Sequence, residues 1–283
     1  MESNSIKDNL SKEDMISDIL LCLGADIHKE NIYLLVEGED DIKFLRPFLA
    51  ENVYIYESYD GKNGVEYIVG ERFETNLRVI GIRDRDYQIL PISDKIFYYD
   101  YGCMEMMILK NDDVFKNLCA EYYRGEESVQ QLRVNLLKEL KYLSVIRMYN
   151  ERENWGKKLR GISIIAAWNS IEKKIDNEVI LSKVNQINGG FFKDDVLQKI
   201  EQEYRREWSE EEFYNNTQGH DFSMLYAGIC NQYKQKGIKY SEIEAGGRCI
   251  FRQNDFKQTK LYSKISEYEN MHHFRICNVM MSV

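Results

Sequence analysis

The chain has 283 residues, 43% of them apolar, enough to build one large core or two ordinary ones. No apolar run approaches the roughly 20 residues that span a bilayer, and the opening MESNSIKDNLSKEDM lacks the basic-then-apolar order of a secretory signal, so a cytoplasmic protein without membrane contact is expected. The net charge of −9 argues against an all-over nucleic-acid coat, and it is uneven: residues 1–110 hold 22 acids against 12 bases, the remainder 25 against 26. Such an acidic first part is compatible with cation binding, whereas a polyanion would need local basic surfaces or a partner.

In chain order, residues 1–30 read as a polar lead and a short helix, because Met15, Ile16, Ile19, Leu20 and Leu23 recur at helical spacing before Gly24. Ile32 to Val36 is a continuous apolar run, expected as a buried strand, and Asp40 to Ala50 follows as a helix. Val53 to Tyr56 reads as a second strand, Gly61-Lys62-Asn63-Gly64 as a turn, Val65 to Phe73 as a helix and Leu77 to Ile82 as a third strand. A fourth strand is expected at Lys95 to Tyr101, running into the apolar stretch Cys103 to Leu109. This βαβαβ alternation predicts an α/β fold with a parallel sheet, whose ligand crevice lies beyond the carboxyl ends of the strands. From about residue 111 the pattern turns helical, as in Val129 to Tyr149 and Val196 to Trp208. The expected organisation is a lead over 1–30, an α/β domain over 31–115 and a mainly helical C-terminal domain over 116–283.

Two acidic pairs stand at the ends of predicted strands. Glu37 directly follows the first strand, Gly38 lets the backbone turn tightly, and Asp41 falls about one helical turn later. Asp84 and Asp86 close the third strand, and residues two apart in extended chain point to one side. Hard carboxylate oxygens in this number suit Mg²⁺ or Mn²⁺ and leave coordination positions for water and a phosphate. Two ions about 3.5–4 Å apart would stabilise the attacking and departing oxygens of a phosphodiester together.

The segments Val36-Glu37-Gly38-x-x-Asp41 and Asp84-x-Asp86, with YDGKNGV (59–65) and CMEMMIL (103–109), resemble the Toprim family of topoisomerases, bacterial primases, small ribonucleases and OLD nucleases. The run VEGEDDIKFL (36–45) is similar to the stand-alone Toprim effectors that pair with ABC-type ATPases in phage defence, the PARIS systems among them. The resemblance covers residues 31–110. It implies a Toprim-like Rossmannoid sheet flanked by helices, with Glu37 as metal ligand or general base, Asp84 and Asp86 as ligands, Asp41 as support for a second ion and Glu105 as a further acid. It further implies a metal-dependent nuclease held by an ATPase partner until infection, then cleaving RNA, with tRNA the substrate class. A DNA nuclease of OLD type and a non-catalytic partner-binding module are the competing expectations, and a homodimer is left open. Strand transfer would need a marked tyrosine and primer synthesis a zinc module; no motif marks either.

Each of these residues also has a plainer reading. Glu39, Asp40 and Asp41 suit the positive end of a helix, and Asp84 and Asp86 a solvated loop paired with Arg83 and Arg85. Glu105 sits among Met104, Met106, Met107 and Ile108, where ion ligation or pairing with Lys110 would offset the cost of burying its charge. Lys62 is either a phosphate contact or a surface lysine. Arg248, Arg252, Lys257, Lys260 and Lys264, interleaved with Phe251, Phe256 and Tyr262, form either a phosphate-and-base surface or a solvated helix face over a core stripe. Gly219-His220-Asp221 offers an acid, a substrate contact or a cap. His272, His273 and Cys277 lack the second pair of ligands that a zinc site needs.

Overall fold

The computed structural model describes residues 11–88, 91–190, 192–233 and 237–278; residues 1–10 of the expected lead lie outside them. The chain divides into two compact units, one within Met1–Asp84, Gln88–Asp100 and Arg252–Val283, the other within Arg85–Tyr87 and Tyr101–Phe251. The units are therefore interleaved in sequence, unlike the contiguous spans 31–115 and 116–283. Among the described residues no helix is long and apolar enough to cross a membrane.

The first unit is an α/β layer structure. Its helices are α1 (Lys12–Ala25), α2 (Glu39–Leu45), α3 (Gly61–Glu66, continuing as a π-helical turn over Tyr67–Arg72), α12 (Gln253–Phe256) and α13 (Lys260–His272). Its strands β1 (Ile32–Val36), β2 (Val53–Glu57), β3 (Val79–Arg83) and β4 (Ile96–Tyr98) form one sheet in the order β2-β1-β3-β4, every neighbour parallel. All five residues of β1 and of β3 are buried, which is why both read as unbroken apolar runs rather than alternating ones.

One face of the sheet packs Tyr33, Leu35, Val79 and Ile96 against Met15, Ile16 and Ile19 of α1 and Val65, Ile68 and Val69 of the α3 segment. Close approach of that segment depends on Gly81: a Cβ there would lie 2.7 Å from Val65 Cγ1. Aromatic rings cement α2 and the C-terminal segment into the unit, with Phe44 edge-on to Phe48 and Tyr99, and Phe256 stacked on Phe48 at 4.6 Å. Asp100 caps α13 by accepting from the Lys260 and Leu261 amides at 2.8 and 2.9 Å.

The second unit is mainly helical: α4 (Met104–Lys110), α5 (Asp112–Tyr122), the 24-residue α6 (Val129–Arg152), α7 (Asn177–Asn188), α8 (Asp194–Arg205), α9 (Glu210–Asn216), α10 (Gly219–Asn231) and α11 (Tyr240–Ile250). A two-residue antiparallel ribbon, β5 (Trp168–Asn169) with β6 (Lys174–Ile175), interrupts the helices. Phe115 of α5 meets Phe222 and Tyr226 of α10, and Arg147 of α6 grips Asp221 through two bonds of 2.5 and 2.8 Å. Asp221 is 3% exposed and Arg147 17%, so the ion pair is mostly shielded from water.

Two local expectations are corrected. Gly61 to Gly64 is not a turn: Gly61 takes φ +48 and opens α3, so Lys62 lies in the first turn of a helix. The expected helix over Asp40 to Ala50 closes as α at Leu45, and a 3₁₀ turn over Arg46–Phe48 accommodates Pro47, which lacks an amide hydrogen to continue the ladder.

Candidate metal centre at the strand ends

Glu37 is the first residue after β1 and Asp84 the first after β3, and these strands are neighbours. Their parallel register, Tyr33 beside Val79 through Leu35 beside Gly81, brings both carboxyl ends out at one edge. The Asp84 amide donates to Glu37 Oε1 at 2.9 Å, so two acids 47 residues apart are joined by a hydrogen bond. Asp41, in the first turn of α2, accepts from the Gly38 amide through Oδ2 at 2.9 Å and from the Tyr99 hydroxyl through Oδ1 at 2.7 Å. Asp41 thus caps its helix, as the plainer reading had it, within the unit that holds Glu37 and Asp84.

Beneath these acids lies Arg83, the last residue of β3 and fully buried. Its Nη1 bonds Glu66 at the end of α3, its Nε donates to the Asp84 carbonyl at 2.8 Å, and that same Nε is 3.8 Å from Glu37 Oε1. Arg83 is thus not a solvated loop residue: its buried guanidinium reaches Glu66, Glu37 and the Asp84 carbonyl. Sequence reasoning passed over Glu66 and Tyr99, because neither stands in a motif and only the fold brings them to this edge. Lys62, partly buried, follows the carboxyl end of β2 in the same unit.

Asp86 does not share the parity expected from an extended chain. β3 stops at Arg83, and Asp86 takes a left-handed φ of +51, which breaks the two-residue alternation. Its amide donates to the Gly102 carbonyl at 2.9 Å within the second unit. Glu105 is in the first turn of α4, partly buried, and Lys110 does not pair with it: Lys110 bonds Glu210 and lies over the Tyr214 ring. Glu105 instead packs against Gly219 at the start of α10, where a Cβ would lie 2.8 Å from its Oε2 and 3.0 Å from Cys103 Sγ.

No family model matches the chain, and no curated protein matches it.

Beside Glu105 in the second unit is a histidine–carboxylate pair. His220 Nδ1 lies 2.7 Å from Glu244 Oε1, the imidazole 58% exposed and the carboxylate only 4%. The Glu244 bond lifts the imidazole to about 9, with Glu105 and Asp221 adding to the rise against the opposing effect of burial. Tyr240 packs edge-on to the ring at 6.0 Å.

The basic-aromatic stretch resolves into a core stripe. Phe251 and Phe256 are buried, so they offer no platform to unpaired bases, while Arg252, Lys257, Lys260 and Lys264 are exposed. Arg248, half-buried in the last turn of α11, belongs to the second unit and Arg252 to the first. The histidines near the C-terminus form no zinc-type group. His272 packs on the Tyr268 ring at 4.4 Å, and burial pushes the Cys277 thiol up, away from the thiolate that binds metal.

Glu37, Asp41 and Asp84 offer carboxylate oxygens, the donor type that a hard divalent cation takes. Arg83 offsets part of their charge from below.

Proposed function

We propose that the chain is a Mg²⁺- or Mn²⁺-dependent nuclease of the Toprim type. The observation that carries this reading is the 2.9 Å bond between the Asp84 amide and Glu37, which joins the two predicted motifs at the carboxyl edge of a parallel sheet. Ligands in such folds bind beyond that edge, where the strands end and loops diverge. Glu37, Asp41 and Asp84 would hold the ion from the first unit, with Asp86 two residues further along the chain and Glu105 as the acid implied by the resemblance. A bound divalent ion supplies charge stabilisation for a phosphodiester in displacement and favours ionisation of its attacking water. Glu37 accepts a hydrogen bond on Oε1 and is held in place for ligation or for taking a proton. Lys62 is the proposed phosphate contact from the first unit, and Arg248 and Arg252 are proposed as surface phosphate contacts.

The substrate proposed is RNA, with tRNA the class implied by the resemblance, and the activity is that of a defence toxin held by an ABC-type ATPase. A chain of net charge −9 would meet a polyanion through the ion and local basic groups. The test incubates the full chain with tRNA and with duplex DNA, in Mg²⁺ or Mn²⁺, beside Glu37→Ala and Asp84→Ala. Cleavage dependent on metal and lost by about 10²-fold or more in both variants is expected. Undiminished cleavage in either would remove that acid from the reaction, and cleavage of DNA alone would favour the OLD-type reading.

The bonds that Asp41 accepts from Gly38 and Tyr99 favour a second reading, a non-catalytic module whose acids serve the fold and a basic partner. It predicts coincident thermal melts with and without Mn²⁺.

A further inference from the structure

One guanidinium stands between two carboxylates. Arg83 is fully buried; Glu66 is 28% exposed and Glu37 25%. Arg83 Nη1 bonds Glu66 Oε1 directly, while its Nε is 3.8 Å from Glu37 Oε1 and is given to the Asp84 carbonyl at 2.8 Å. The closer contact of the cation is thus with Glu66, and Glu37 takes the looser one. The Tyr98 ring lies beside the group, its centroid 5.8 Å from the guanidinium carbon. Glu66 reaches this position from the seam where α3 widens into the π-helical turn Tyr67–Arg72, a form of helix that recurs at functional sites.

A buried guanidinium demands a counter-charge. If Glu66 were neutral, Glu37 would have to balance more of the Arg83 charge, and a carboxylate committed to a buried cation is a poorer ligand for a second one. We propose that Glu66 is a positioning residue for the metal centre: it neutralises Arg83, so that Glu37 keeps its charge for the divalent ion. This rests on the metal-centre reading above. Glu66 acts through Arg83 and Glu37 and touches neither ion nor substrate.

The test is a Mn²⁺ titration of thermal melts on the full chain, comparing wild type with Glu37→Gln, Glu66→Gln and Glu66→Asp. Wild type is expected to gain stability with Mn²⁺ and Glu37→Gln to lose that gain. Removing one partly exposed unit charge should raise the half-saturating Mn²⁺ concentration of Glu66→Gln by about tenfold. Glu66→Asp, which keeps the charge, should stay near wild type. A Glu66→Gln variant that melts lower without metal yet keeps the wild-type half-saturation would make Glu66 a structural residue and overturn the proposal, leaving the metal reading intact. Equal weakening in Glu66→Gln and Glu66→Asp would also overturn it, since shape and not charge would then matter. Absence of any Mn²⁺ effect in wild type would overturn both. Should Glu66→Gln not fold, the double variant Glu66→Gln/Arg83→Met removes both charges. It is expected to bind Mn²⁺ at least as tightly as wild type, and weaker binding would overturn the proposal.

Discussion

At the scale of single residues, charge placement decides the behaviour of this molecule. His220 is held by the almost fully buried Glu244, with Glu105 and Asp221 also facing it, and its imidazole is lifted to about 9 from an ordinary 6.5. A folded value above the unfolded one means the pair's stabilisation is complete below about pH 6.5 and is lost as pH rises through 9. Thermal melts of wild type and Glu244→Gln should therefore differ most at pH 6 to 6.5 and converge above pH 9; a constant difference across that range would rule out the ion pair as its source. The acids at the strand ends could be anticipated because each directly follows an apolar run, and in a parallel sheet such a residue stands at the ligand edge. Arg83 could not be placed so easily. A charged residue closing a buried strand does not announce its partner, and Glu66 lies one whole helix earlier in the chain. Asp86 departs from strand parity because β3 stops at Arg83 and a left-handed φ follows, which only the folded backbone reveals.

At the scale of elements, the sheet was readable wherever burial on both faces left unbroken apolar strands, as in β1 and β3. Glycines at 61 and 64 carry a turn signature at the start of α3, yet Gly64 serves contact instead: a Cβ there would collide with Ser58 Oγ. The ribbon β5–β6 is too short for any periodicity to mark it. What ends the helical segment after α3 is Lys95, only 2% exposed, whose Nζ donates to the carbonyls of Val69, Phe73 and Asn76 at 3.1, 2.5 and 3.3 Å. These carbonyls gather at and just beyond the end of that segment, where those of Phe73 and Asn76 also accept the Asn76 and Val79 amides, and burial lowers the lysine's affinity for its proton. Lys95→Met keeps the bulk and removes all three bonds, so a loss of about 1–3 kcal/mol is expected from denaturant melts. A loss indistinguishable from zero would mean that these carbonyls find other donors when the lysine is gone.

At the scale of the whole molecule, the acidity of residues 1–110 sets the terms on which a polyanion could be met. A protein that neutralises many phosphates with lysine and arginine loses affinity steeply with salt, in proportion to the contacts made. The proposed phosphate contacts are three, Lys62, Arg248 and Arg252, so RNA binding measured in Mg²⁺ should fall with NaCl with a log–log slope no steeper than about −3. A slope near −6 or beyond would reveal an extensive basic surface and weaken the case for ion-mediated contact. The return of the C-terminal segment to the sheet has a further consequence. Phe256 lies on Phe48, Asp100 caps α13, and the amide of Asn278 reaches the Phe48 carbonyl at 2.7 Å. A ribosome that has emitted only the first 250 residues has therefore made every acid discussed above but not the layer that encloses their sheet. The aromatic seat around Phe48 and Tyr99, whose hydroxyl steadies Asp41, therefore waits for residues beyond 250, long after the acids of this edge have been made.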